Sequence, residues 1–101
     1  MELSAGSRWR SAVDTTEVIV VRPPRAEVEL ECGGAAMVPA GTEAPGGAIA
    51  EDHRAGTQLG KRYVDDEAGI EVLCTKAGEG SLALSGRALV LKEAKPLPSS
   101  D

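Results

Sequence analysis

The sequence predicts an all-β protein: a small antiparallel sheet or barrel-like domain built from two pseudo-repeated hairpin units joined by a long loop. Three observations carry this expectation. Ala26 to Cys32 (AEVELEC) alternates apolar and acidic residues, the period-2 signature of a half-buried strand. Thr16 to Val21 (TEVIVV) and Ile70 to Thr75 (IEVLCT) are runs of β-branched and aliphatic residues bounded by turn formers. Nowhere does a 3.6-residue apolar period persist, so no amphipathic helix is expected. The 101 residues allow one domain, assigned to 1–95, with a flexible tail over 96–101 that carries Pro96 and Pro98. One Trp, one Tyr and no Phe leave the core to be built from Val, Leu, Ile and Ala.

In chain order, Thr16 to Val21 ends at Arg22-Pro23-Pro24-Arg25 and is expected to return as Ala26 to Cys32, making a first hairpin. Val28, Leu30 and Cys32 share its core face, and Glu27, Glu29 and Glu31 the other. Gly33-Gly34 breaks the strand, and Ala35 to Pro39 is a further short extended piece. From Ala40 to Gly60 no period is sustained, which reads as a long loop with one short helical turn within Ala48 to Arg54. Tyr63 and Val64 end another strand, and Asp65-Asp66-Glu67-Ala68-Gly69 turns. Ile70 to Thr75 and Ser81 to Leu84 form the second hairpin around Ala77-Gly78-Glu79-Gly80, and Ser85-Gly86-Arg87 turns into Ala88 to Leu91.

The two halves run parallel when Glu17-Val18-Ile19 is set over Glu71-Val72-Leu73. A one-residue slip then brings Cys32-Gly33-Gly34-Ala35-Ala36-Met37-Val38 over Ser85-Gly86-Arg87-Ala88-Leu89-Val90-Leu91. Two related β units sharing one core explain how so few large side chains suffice. Ile70-Glu71-Val72, the turn Gly78-Glu79-Gly80 and the run Cys32 to Met37 resemble the desulforedoxin and superoxide-reductase N-terminal modules, a rubredoxin-like metal-ribbon family. That family's motif passes from a Cys-x-x-Cys knuckle through Val-Glu-Val and a Gly-containing turn to Cys-Cys-Gly-x-Pro-Met. The resemblance covers about half the residues and implies a ribbon-like shape. The chain has no Cys-x-x-Cys and retains one of the four ligands, Cys32, in the first copy and none in the second, where Ser85 stands in the matching place.

Charge and patterning exclude several function classes. Sixteen acidic against eleven basic residues give a net charge of −5, and the local basic groups, Arg22 with Arg25 and Lys61 with Arg62, have no aromatic side chains interleaved with them, which argues against nucleic-acid binding. No uninterrupted apolar run exceeds the four residues of Val18 to Val21, far short of a membrane span, and Met1-Glu2-Leu3-Ser4 does not begin as a secretory signal, so a cytoplasmic location is expected. Gly78-Glu79-Gly80-Ser81 lacks the Gly-Lys-Ser/Thr ending of a phosphate loop.

The chemistry-bearing residues are few. Cys32, Cys74 and the one His, His53, are the available soft ligands for zinc or iron, with Asp52 as a fourth donor; otherwise both thiols pack as small hydrophobes. Cys74 is the candidate for thiol catalysis, with His53 as base and Lys76 two residues away on the expected same face. The expectation that orders these is a non-catalytic binding or accessory protein without a cofactor, a homodimer or the small subunit of a larger complex. Its contacts are assigned to Trp9, Tyr63, His53 and the loop from Gly41 to Gly60.

Overall fold

The computed structural model describes residues 1–92; the expected tail over 96–101 and the last residues of the expected domain lie outside the described residues. The chain is all-β, and its described residues form ten short strands and a single 3-10 turn over Glu51–His53. The strands are β1 (Arg8–Arg10), β2 (Glu17–Arg22), β3 (Leu30–Cys32), β4 (Ala35–Ala36), β5 (Val38–Pro39), β6 (Arg62–Asp65), β7 (Ile70–Lys76), β8 (Leu82–Leu84), β9 (Arg87–Ala88) and β10 (Val90–Leu91). They form a six-stranded sheet in the order β10-β6-β7-β2-β1-β5 and a four-stranded sheet in the order β4-β3-β8-β9, every pairing antiparallel. Val18, Val20, Val72 and Cys74 from the first sheet meet Leu30, Cys32, Leu82 and Leu84 from the second in one core. Among the described residues no helix is long and apolar enough to cross a membrane.

Both strand orders are unchanged when β1–β5 and β6–β10 exchange places. The register follows the same two-fold. Ile19 pairs with Leu73 at the centre, Val18 with Cys74 and Val20 with Val72 on either side, and Glu17 with Lys76 and Arg22 with Glu71 beyond a bulge at each end. Trp9 faces Val18 as Tyr63 faces Val72. In the second sheet Leu30 pairs with Leu84 and Cys32 with Leu82, about Glu31 opposite Ala83. Each unit closes with a two-residue turn of positive φ, Gly33-Gly34 (66° and 89°) and Ser85-Gly86 (47° and 87°), the left-handed pair that matches strand twist in a tight hairpin.

Two expectations are corrected here. β2 and β3 do not form a hairpin, nor do β7 and β8: in each unit the chain leaves the large sheet and enters the small one. Both edges of β2 are occupied, by β1 and β7, and Pro23 and Pro24 cannot donate to a ladder. The Arg25 N–H instead bonds the Ala68 carbonyl at 2.7 Å, reaching into the other unit. The matching of the units also differs by one residue: Gly33-Gly34 takes the place of Ser85-Gly86, so Cys32 stands with Leu84 and Met37 with Leu89. Reciprocal bonds from Met37 N–H to the Leu30 carbonyl and from Leu89 N–H to the Leu82 carbonyl share this register.

Candidate functional site

The side chains with reactive chemistry gather where the β1–β2 loop of the first unit meets the β7–β8 turn of the second. Ser11 is fully buried, and its Oγ accepts the N–H groups of Val13 and Asp14, each at 3.1 Å, which curls the loop back on itself. Asp14 is thereby aimed inward. Its Oδ2 accepts the Gly80 N–H at 2.6 Å and the Thr16 hydroxyl at 2.9 Å, and its Oδ1 accepts the Thr16 N–H at 3.2 Å and, from 3.8 Å, the Cys32 thiol. Thr15 adds a bond from its hydroxyl to the Ala77 carbonyl at 2.7 Å. The turn packs tightly here: a Cβ on Gly80 would stand 3.0 Å from Cys32 Sγ and 3.1 Å from Asp14 Oδ2, and one on Gly78 would overlap the Thr16 hydroxyl and Asp14 Oδ2 outright.

The electrostatics follow from this packing. Burial opposes ionisation of Asp14, but the Ser11 and Thr16 hydroxyls and the N–H groups of Gly80 and Thr16 together outweigh it and hold the carboxyl below its ordinary value. Burial pushes the Cys32 thiol up to about 11, with the Asp14 charge acting in the same direction. Burial also raises Cys74, whose Sγ donates to the Lys76 carbonyl at 3.2 Å. A nucleophilic cysteine needs the opposite shift. Lys76 does not supply it: the bulge before Val18 carries Lys76 to the outer face of the sheet, where its ammonium pairs with Glu17 at 3.2 Å.

Trp9 and Tyr63, expected as contact anchors, occupy equivalent inward positions in the two units and are 9% and 8% exposed. Trp9 Nε1 donates to Ser7 Oγ at 3.0 Å and the Tyr63 hydroxyl accepts the Gln58 N–H at 2.9 Å, so their polar atoms are engaged within the chain. His53 ends the 3-10 turn; its carbonyl accepts the Ser81 N–H at 2.9 Å, and its ring lies over Gly34. Among the described residues no three of His, Cys, Asp and Glu stand together as a metal-binding group, so Cys32, Cys74 and His53 are not assembled into one. The four-cysteine ligand set of the metal-ribbon family does not fit the donors around Cys32. The neighbours are a carboxylate already accepting four bonds and two hydroxyls.

A second buried charge lies on the outer side of the large sheet. The Glu71 side chain, 5% exposed, accepts Arg62 Nη1 and Lys92 Nζ, each at 2.9 Å; the Lys92 bond leads the causes that lower its pKa. The Asp14 cluster and Glu71 both went unrecognised in the sequence. For Asp14 the available signal was Ser11-x-x-Asp14, the spacing of a side-chain-capped turn. No protein-family model, curated protein or solved structure matches the chain.

Proposed function

We propose that the chain is a non-catalytic binding or accessory protein of the cytoplasm, acting as a homodimer or as the small subunit of a larger complex. The observation that carries this reading is the engagement of its reactive groups in holding the two units together. Asp14 is bonded to the opposite unit's turn, and both thiols are buried, free and raised in pKa. Among the described residues β5 and β10 are edge strands with no neighbour on one side, and these edges, with Val90 at 57% exposed, favour a partner over a substrate. We also read the chain as an internal duplication, on the strength of the two-fold strand register.

The test is native mass spectrometry of the protein isolated from its own cells under non-denaturing conditions. The expected mass is a whole multiple of the chain, or the chain with a second protein, and no metal. A single free chain overturns the reading, as does one zinc or iron per chain lost on Cys32→Ser, or turnover abolished by Cys74→Ser.

A further inference from the structure

We propose that the outer face of the six-stranded sheet is a docking surface for a protein segment that carries carboxylates around an apolar centre. This rests on the binding role and specifies the chemistry of its partner. Opposed residues of antiparallel strands point to the same side. Arg8 pairs with Ile19, Ile19 with Leu73 and Leu73 with Arg62, so one row crosses four strands with two half-buried apolar residues at its middle and an arginine at each end. At about 4.8 Å per strand the two arginine backbones stand roughly 14 Å apart. The flanking rows add Arg10, Glu17 and Lys76 on one side and Arg22 and Glu71 on the other, with Lys92 reaching Glu71.

The face therefore holds six cations and two carboxylates, a net of +4. From totals of 11 and 16, five basic and fourteen acidic residues remain for the rest of the chain, a net of −9. The two carboxylates are already neutralised, Glu17 by Lys76 and Glu71 by Arg62 and Lys92, whereas Arg8, Arg10 and Arg22 have no carboxylate within ion-pair distance among the described residues. Arg10 Nε is buried without a hydrogen-bond partner. At one end of the face a cleft of about 200 Å³ opens between Arg22, Arg25 and Lys92; of the carboxylates that also line it, Asp65 and Glu71 are ion-paired.

This distribution selects the occupant. A second copy laid face to face sets +4 against +4 and is repelled. A nucleic acid would meet an aliphatic centre without stacking aromatics, beside a body of charge −9. An acidic protein segment with an apolar centre matches both the rim and the middle, and its approach is steered by the segregated charge.

The experiment is a titration of the isotope-labelled full chain, followed by amide chemical shifts, with a capped peptide of two Glu-Asp blocks flanking Leu-Leu. Shifts are expected on β1, β2, β6 and β7, with affinity at least tenfold weaker for Arg8→Glu/Arg62→Glu and unchanged within twofold for Glu27→Gln/Glu29→Gln. If the charge reversal unfolds the chain, Arg8→Gln/Arg62→Gln is expected to weaken binding about threefold with dispersed shifts intact. Shifts centred on the four-stranded sheet, affinity indifferent to both arginine variants, or tighter binding of a mixed-sequence DNA duplex to the same face overturns the proposal. The native mass of the isolated assembly reads the binding role separately: an intact assembly with no peptide response overturns the face alone, and a lone chain overturns the role.

Discussion

Asp14→Ala isolates the bond that ties the first unit's loop to the second unit's turn. Asp14 accepts the Gly80 N–H at 2.6 Å, the Thr16 hydroxyl at 2.9 Å and the Thr16 N–H at 3.2 Å. Hydrogen bonds to a charged group contribute about 1.5–3 kcal/mol each, and a buried donor left unpaired costs a further share. Gly80 is buried, so its N–H is left without an acceptor, whereas Asp14 itself is half-exposed and water reaches part of the site. The three bonds share one carboxylate and are not additive, which sets the expected loss at about 3 kcal/mol rather than their sum. For a domain of this size that is a fall in Tm of roughly 12–24 °C. The carboxyl is held below 3.8 in the folded state, so its contribution is present at neutral pH and is lost as pH falls through the lowered value. Urea denaturation of both proteins should show the full difference at pH 7 and a much smaller one at pH 2. A loss under about 1 kcal/mol at pH 7, or an equal loss at both pH values, would refute the clasp.

Other perturbations are as specific. Glu71→Gln removes the charge that Arg62 and Lys92 share and is expected to destabilise by about 1–3 kcal/mol at pH 7, with the difference fading on acidification, as read by urea denaturation. Cys32 and Cys74 should both resist an aromatic disulfide reagent at pH 7 and react fully in denaturant, because burial removes access and holds both as thiols; fast reaction of either in the native state contradicts their raised pKa values. Gly86→Ala should cost about 1–2 kcal/mol, since φ is +87° and a Cβ there meets nothing within 4 Å. The equivalent Gly34→Ala should cost more, because its Cβ would come 2.8 Å from that of Ala50; thermal melts of the two variants decide the order.

The inward face of β3 is legible in the sequence, but its partner is not. Alternation over Val28 to Cys32 puts Leu30 and Cys32 inward, yet the same pattern serves a hairpin mate and a strand of a different sheet, so it does not distinguish a β2–β3 hairpin from the observed crossing between sheets. β1 is three residues with a single buried side chain, Trp9, between two arginines, too short for a period to register. The Glu-Val match located the two-fold, but the shorter β7–β8 connection displaced the later alignment by a residue. The turn geometry was the better guide, since Gly33 and Ser85 both sit at positive φ. Strict alternation places Lys76 on the thiol's face, but it assumes an unbroken ladder, and the bulge beside Glu17 breaks it. The contact between Asp14 and Gly80 joins residues far apart in sequence, which no local pattern reveals.

The central pairing of β2 with β7 also governs how the chain is made. During synthesis Val18 emerges long before Cys74, its partner across the centre of the large sheet. Until then the nascent first unit presents β2 as an open edge whose ladder is symmetric about Ile19. Another emerging chain offers that edge a complement of the same register, namely its own β7, so crowded ribosomes favour exchange of units between neighbours. Refolding from denaturant is accordingly expected to be slow for so short a chain, since distant segments must meet before the core can form. Refolding at high protein concentration is therefore expected to give dimers by exchange of units, read by size-exclusion chromatography against refolding at low concentration.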